Sequence, residues 1–322
     1  MINPDYTVEE IETRFMSFLK KQVGDLEITE HLNQIKGGNE AYLYRFHVKG
    51  VKGMETPQVL RLFPGFYGDE KAEWEAMIQN MLNERGLPTP KAHISTRDMT
   101  VLGGSFLVMD YIDGITPDPL EDLAILGLTA RTQSKLHQID GKPVSEAIHA
   151  LGHSRHSHSI EGRIDWLLDR AKHHPELKEL FKWVVDNKPE LPEKVSVVHG
   201  DFHPGNMILK DGEVIAIVDW SGFMVGDPMA GLGWTLALYI GNAKHDFPPE
   251  VFEDLIQGYI QEYEKISPVN KDTLAYFITF RLAMALLEGL DGQTHWTQPQ
   301  IVNTILSELK DRTGISVKLL GL

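Results

Sequence analysis

The sequence predicts an α+β fold in two lobes, a small antiparallel sheet with one main helix followed by a larger, mostly helical part. Three observations lead there. Short alternating runs separated by turn residues fill much of residues 35–110, whereas helical periodicity dominates from about residue 129 onward. Inside the helical part, two apolar runs flank Asp211-Gly212, a strong hairpin signal. The chain has 322 residues and 42% hydrophobic content, enough to bury the core of two lobes. The expected boundary separates residues 1–112 from residues 113–322.

Composition narrows the partners. Lys and Arg number 31 against 46 Asp and Glu, a formal charge of −15, which argues against a broad surface for the phosphate backbone of DNA or RNA. Such acidity accords with a cationic substrate and equally with solubility alone. Cysteine is absent, so a disulfide framework, a thiol nucleophile and a Cys-ligated zinc site are all excluded. The first ten residues are acidic and polar, without the basic-then-apolar pattern of a secretory signal, so the expected location is the cytoplasm. No apolar run approaches the roughly 20 residues that span a bilayer; stretches 232–240 and 282–287 are expected as core, and no membrane partner is expected. The oligomeric state is open.

In chain order, Thr7-Val8-Glu9-Glu10 forms a capping box for a helix that turns Ile11, Phe15 and Phe18 inward. Gly37-Gly38 then precedes an alternating stretch to Phe46, and 58–63 follows as a further strand with Arg61 on it. Gly37 and Gly38 serve either as a plain hairpin turn or as backbone that can approach phosphates without a Cβ in the way. Arg61 is either solvent-facing on an edge strand or a phosphate ligand, for which the guanidinium fork is suited. A helix is expected over 69–85, stopped by Gly86-Leu87-Pro88 and carrying Glu73 and Glu75. Residues 101–110 read as another hairpin.

After that the chain turns helical. A helix is expected over 129–139, including Lys135-Leu136-His137, with His137 packed and structural. His149, His153, His156, His158, His173 and His174 suggest transition-metal binding, but no cysteine or second carboxylate cluster completes a site, so a histidine-bearing surface segment is expected. Asp227-Pro228 matches an N-cap followed by proline at the first helical position. Amphipathic helices are expected over 249–263, 271–290 and 298–313, with Glu288, Asp291 and Trp296 as possible walls for a cationic or ring-bearing substrate. The chain shows no internal repeat.

The chemistry concentrates in His199-Gly200-Asp201-Phe202-His203-Pro204-Gly205-Asn206 and the hairpin that follows it, which ends at Asp219. A hairpin returns the chain to its start, so Asn206 at the entrance and Asp219 at the exit are expected close together, with Asp201 able to join them. Two carboxylates and a carboxamide suit a hard cation such as magnesium. His199, Asp201, His203 and Asp219 can also be drawn as a metallohydrolase cluster with water as nucleophile.

The order His-x-Asp, Asn five residues after the Asp, and a later Asp closing a hairpin follows the logic of eukaryotic-type kinases. Spelled with Val218-Asp219-Trp220, it resembles the aminoglycoside phosphotransferase family more than protein kinases, over about residues 35–233. The resemblance implies a bilobal protein-kinase-like fold, with residues 1–112 as the nucleotide-binding lobe and residues 113–322 as the catalytic and acceptor-binding lobe. It implies that Asp201 orients and deprotonates the acceptor while Asn206 and Asp219 hold Mg2+. It also implies that Gly37, Gly38 and Arg61 meet the phosphates of ATP and that Glu75, rather than Glu73, holds Arg61. Met109, Asp110, Tyr111 and Ile112 correspond to the hinge that binds adenine through the backbone. One departure is visible: Gly231-Leu232-Gly233 stands where the family often has Asp-Leu-Ala.

The function so implied is an enzyme, an ATP- and Mg2+-dependent phosphotransferase acting on a hydroxyl of a small molecule, an aminoglycoside or other amine-bearing compound. Kinases for macrolides, choline-like amines, homoserine or sugars are the alternatives within the family, and a metal-dependent hydrolase or a non-catalytic kinase-like module lies outside it.

Overall fold

Thr7 caps the first helix, α1 (Val8–Val23), as its motif requires: the Thr7 side chain accepts from the Glu10 amide and the Glu10 carboxylate accepts from the Thr7 amide. Ile11, Phe15, Met16 and Leu19 of α1 are buried and Phe18 is partly buried. The computed structural model describes residues 6–35, 40–65, 68–117, 123–190 and 192–319. The chain divides into two units, Met1–Pro117 with Gly205–Ser221 and Asp118–Pro204 with Gly222–Leu322. The hairpin expected with the helical lobe thus groups with the sheet.

The first unit is built on strands β1 (Glu27–Ile35), β2 (Tyr42–Lys49), β3 (Gln58–Pro64), β4 (Ala92–Thr96) and β5 (Gly104–Asp110), in the order β1-β2-β3-β5-β4 and antiparallel throughout. The period of two along a strand separates the two faces. Phe46, Leu60, Leu62, Phe106 and Val108 share one cluster with α1, where Phe15 meets Phe46 and Phe106 edge-to-face at 5.1 and 6.0 Å. The alternate residues Val59, Phe63, Leu107 and Met109 pack with Ala72 and Ala76 of helix α2 (Lys71–Asn83). Arg61 belongs to that second set by register, facing Leu43 on one side and Leu107 on the other. It stands on a central strand, not an edge. Truncating Phe15 to Ala here would cost about 3–5 kcal/mol, through lost transfer energy and the cavity left behind.

Two expectations need correction. Residues 101–110 are not a hairpin. Met99–Leu102 is a short helix, α3, closed by Gly103 in the left-handed conformation (φ 78°), and β5 is a single strand running between β3 and β4. Strands β1 and β4 were not expected either; β1 buries only Leu32 along its nine residues, so it lacks a legible apolar face.

The second unit carries α4 (Leu123–Leu136), α5 (Lys142–Ala150), α6 (Ile160–Ala171), α7 (Lys178–Asp186), α8 (Pro228–Ala243), α9 (Pro249–Glu264), α10 (Lys271–Leu290) and α11 (Pro299–Thr313). Its short strands β6 (Ser196–Val198) and β9 (Met224–Gly226) pair with each other; β7 (Met207–Lys210) and β8 (Glu213–Ile217) form the hairpin of the first unit. Asp227 caps α8 by accepting from the Met229 amide at 2.8 Å, with Pro228 at the first helical position. α8 and α10 are buried nearly all round and make the centre of this unit's core. α10 is long and apolar enough to cross a membrane by length and composition, yet most of it is buried inside the unit. The two helices approach closely at Gly233, where an added Cβ would lie 2.8 Å from Phe277 Cβ and 3.0 Å from the Ile278 nitrogen. A tight α8–α10 contact thus occupies the place of the family's usual Asp-Leu-Ala.

His137 is buried, shares a 2.7 Å hydrogen bond between Nδ1 and the Tyr263 hydroxyl, and is held down to about 3 by burial and then by His199. It is a packed, neutral residue, as expected. The histidine-bearing segment meets expectation in part. His149, His156 and His173 are exposed, as a surface segment requires, whereas His153 and His158 are buried, His158 stacking on Phe223 at 4.8 Å.

Candidate active site

In the first unit, three side chains meet on the α2 side of the sheet. Arg61 Nη2 donates to Asp219 Oδ1 at 2.5 Å, and Arg61 Nε lies 3.3 Å from Glu75 Oε2. Arg61 is 3% exposed and Glu75 0%. The Nε contact is an ion pair without aligned hydrogen-bond geometry. Gln79, one turn along α2, donates to Glu75 Oε1 at 3.1 Å. Burial pushes the Glu75 carboxyl up to about 7, with Arg61 opposing it. Burial works against the charge on Arg61, but Asp219 and then Glu75 outweigh it and raise its pKa above the usual value. A buried cation between two carboxylates is costly to desolvate and strongly destabilising to break. Glu73 turns elsewhere, 3.4 Å from Arg97.

Asp219 arrives through the hairpin. Asp211 and Gly212 both take positive φ, 53° and 81°, the conformation that a two-residue turn of this kind demands. Val218 donates to the Asn206 carbonyl at 3.0 Å, so Asn206 and Asp219 flank the open end of the hairpin, and Ile217 donates to the Pro88 carbonyl at 2.8 Å, tying the hairpin to the segment after α2. Asp219 itself has φ 65°, a strained choice for a residue other than glycine. Its Oδ1 also accepts from Ser221 Oγ at 2.9 Å, and the buried Trp220 indole donates to the Ile217 carbonyl at 3.0 Å. The chain reverses sharply there, and the local bonds offset the strain.

The four residues expected at the hinge, Met109 to Ile112, lie at the end of β5 and just beyond it. Met109 pairs with Val59 and Ala92 and is buried. The Asp110 amide donates to the Lys91 carbonyl and the Tyr111 amide to the Pro57 carbonyl, each at 3.0 Å, while the Asp110 carboxylate bonds His93 at 2.7 Å. Two amides expected for adenine are therefore engaged inside the protein. Gly37 and Gly38 lie outside the described residues.

In the second unit, Asp201 is 55% exposed and 3.6 Å from His203 Nε2. Burial by its surroundings raises its carboxyl, but hydrogen bonding and charge from His203, then His199 and Arg281, hold it below the usual carboxylate range. The loop is shaped locally. The Asp201 amide donates to Nδ1 of the buried His199 at 3.4 Å, and the Phe202 carbonyl accepts from Thr235 Oγ1 of α8 at 2.8 Å. Gly200 sits at φ 85°, where an added Cβ would fall 2.1 Å from the Gly222 carbonyl oxygen. His199 thus holds the loop at the Asp201 amide, and His203 lies beside the Asp201 carboxylate.

A family model for the phosphotransferase enzyme family, APH, matches residues 31–269. The chain belongs to this family. Among curated relatives, it is 29% identical over 216 residues to acyl-CoA dehydrogenase family member 11 of Gallus gallus, a match covering 59% of this chain and 27% of that protein. The Homo sapiens protein of the same name is 27% identical over 197 residues, covering 56% and 25%. The chain spans about a quarter of the length of the curated relatives it matches. Among solved structures, an amicoumacin kinase in complex with AMP-PNP, Ca2+ and Ami has a TM-score of 0.59 at 16% identity, covering 95% of this chain and 96% of that one. The apoenzyme of a macrolide 2'-phosphotransferase from Brachybacterium faecium has a TM-score of 0.57 at 17% identity, covering 94% and 99%. These likenesses show the kinase-like fold.

Sequence reasoning found Arg61, Glu75 and Asp219, which the fold brings together. It missed two cations. Lys71 pairs with Glu40 and stands 5.9 Å over the Phe63 ring, whose centroid is 5.0 Å from the Arg61 guanidinium carbon. Arg281 of α10 bears on Asp201 from 80 residues along the chain, and no local motif announces it. No group of three or more His, Cys, Asp or Glu that could hold a metal ion occurs among the described residues. The Asn206 carboxamide and the Asp219 carboxylate do fit a magnesium-type ion, which takes one or two protein oxygens and completes its shell with water and phosphate.

Proposed function

We propose that the protein transfers the γ-phosphoryl group of ATP to a hydroxyl of a small molecule. The observation that carries this reading is the Arg61–Asp219–Glu75 arrangement, a buried guanidinium held rigidly by two carboxylates at the mouth of the hairpin. A fixed fork of donors suits the α- and β-phosphates, and Glu75 keeps it in place. Asn206 and Asp219 are the proposed ligands of a divalent cation, which when bound would offset charge on the phosphates. Lys71 is a second cation on the same face of the unit.

In the second unit, Asp201 is the residue that meets the acceptor. Its lowered pKa keeps it ionised at neutral pH, so it accepts a hydrogen bond from the acceptor hydroxyl and orients that oxygen towards the γ-phosphorus. The new O–P bond forms as the bond to the ADP leaving oxygen breaks, and the hydroxyl proton passes to the Asp201 carboxylate. A carboxylate this acidic is a weak base, so its contribution lies in positioning before proton transfer. Of the four hinge residues, Ile112 is the best placed to offer an amide to adenine, since the Asp110 and Tyr111 amides are used internally.

The test is ADP formation by the full chain with ATP and magnesium, with and without a panel of alcohols. Acceptor-dependent turnover that EDTA abolishes is expected. ADP formation that is indifferent to every acceptor, or that requires zinc, would instead mark a hydrolase.

A further inference from the structure

The acidic residues expected to receive a cationic acceptor are already taken. Glu288 Oε2 accepts from Arg281 Nη1 at 3.2 Å, and Asp291 accepts from Arg170 Nε at 2.7 Å while bonding His174 at 3.1 Å. Trp296 is covered by the Arg281 guanidinium, 5.1 Å from its ring centroid. An amine-bearing acceptor would have to displace an arginine from each of these carboxylates.

What the same helices offer is donors. Arg281 is 8% exposed, and Glu288 accounts for its one side-chain hydrogen bond among the described residues. Trp234 of α8, 2% exposed, packs on Phe280, the residue before Arg281, with ring centroids 6.0 Å apart. Its indole N–H has no partner among the described residues. Both helices are tied to the Asp201 loop. Thr235, next to Trp234, holds the Phe202 carbonyl, and the close α8–α10 contact at Gly233 and Phe277 lies one helical turn before Arg281. Arg281 is also among the charges acting on the Asp201 carboxylate. A guanidinium prepositioned by a carboxylate and an aromatic face suits an oxyanion.

We infer that the acceptor is an alcohol bearing an anionic group, a carboxylate or a phosphate, which Arg281 binds while Asp201 takes the hydroxyl. This rests on the phosphotransferase reading for the role of Asp201, but not for the binding of the anion. It sets the protein apart from a kinase for polycationic amines, and it gives Arg281 the choice of substrate.

The experiment compares hydroxycarboxylates, sugar phosphates, uncharged alcohols and amine-bearing antibiotics on the full chain by two readouts, magnesium-ATP turnover and saturation-transfer NMR binding. Removing Arg281 alone strands the buried Glu288 and endangers folding, so the variant is the double change Arg281→Gln with Glu288→Gln, checked by its thermal transition. One anionic class is expected to bind and react best, the choice between carboxylate and phosphate being read from the panel. The double variant is expected to raise KM and weaken binding for that class about tenfold to a hundredfold, as for loss of a charged hydrogen bond, with KM for ATP unchanged. Preference for uncharged or amine-bearing compounds, or an unchanged KM and affinity for anionic ones in the variant, overturns the inference. Anionic alcohols that bind through Arg281 without ever being phosphorylated would break the phosphotransferase reading and leave this one standing.

Discussion

Arg61 and Glu75 are 3% and 0% exposed, locked between a central strand and a helix, whereas Asp201 is 55% exposed on a loop anchored by its own neighbours His199, Gly200 and Phe202. The first cluster resembles a piece of core that happens to be charged. The second is an open carboxylate on a shaped turn. The difference follows from what each must meet under the proposed function. The triphosphate is the same in every turnover, so rigid, desolvated charges can be set for it in advance, while an acceptor must enter, react and leave. The acidities diverge accordingly. Burial raises Glu75 to about 7, whereas at Asp201 hydrogen bonding to His203 and the charges around it outweigh burial and hold the carboxyl below the usual range.

The comparison can be broken by substitutions on either side. Asp201→Asn should have the largest effect on turnover and almost none on the fold. Transfer should fall by about 10²- to 10⁴-fold, as for loss of a positioned acid–base group, with ATP affinity and the thermal transition unchanged. Arg61→Met should do the reverse. It leaves Glu75 buried without a counter-charge and should cost about 3–5 kcal/mol of stability, measured by denaturant unfolding, along with loss of ATP binding. If Asp201→Asn unfolded the protein and Arg61→Met did not, the contrast between the two regions would be void.

Gly200→Ala probes the turn itself. With φ 85° and the Gly222 carbonyl oxygen only 2.1 Å from the added carbon, the loop must move. A stability loss of about 1–3 kcal/mol is expected from strain of this kind, with kcat falling more than KM for ATP rises. The smallest effect concerns pH. Glu75 moves from an ordinary 4.5 to about 7 in the folded state. Between those values the folded protein holds the proton that the unfolded chain has released, so this group's contribution is full below 4.5 and is lost as pH rises through 7. Glu75→Gln should therefore flatten the fall in stability across that window, read as the difference in denaturation midpoint between pH 5 and pH 7.5 for wild type and variant.

Much of this was legible in the sequence because it is local. Asp211-Gly212 announces a turn that only certain backbone angles satisfy, Thr7 to Glu10 spells its own cap, and Asp227-Pro228 starts its helix. The Arg61–Glu75 pairing was legible through resemblance alone, since two residues on separate elements carry no mutual spacing rule. What escaped depends on neighbours distant in the chain. β1 exposes most of its residues, so it shows no alternation to read. Residues 101–110 suggested a hairpin because Gly103-Gly104 punctuates them, yet Gly103 ends a short helix and Gly104 begins a strand against β3. The Asp110 and Tyr111 amides found partners at Lys91 and Pro57 that only the sheet supplies. Arg281 sits in an apolar helical stretch, and its importance comes from Glu288, Trp296 and the Asp201 loop rather than from its immediate sequence.

The central claim is transfer of phosphate to a hydroxyl, and phosphorus NMR of the full chain with magnesium-ATP and an accepted alcohol tests it most directly. The prediction is a new phosphomonoester resonance growing in step with ADP, absent with Asp201→Asn. ADP accompanied by inorganic phosphate alone, at the same rate in the variant, would contradict it.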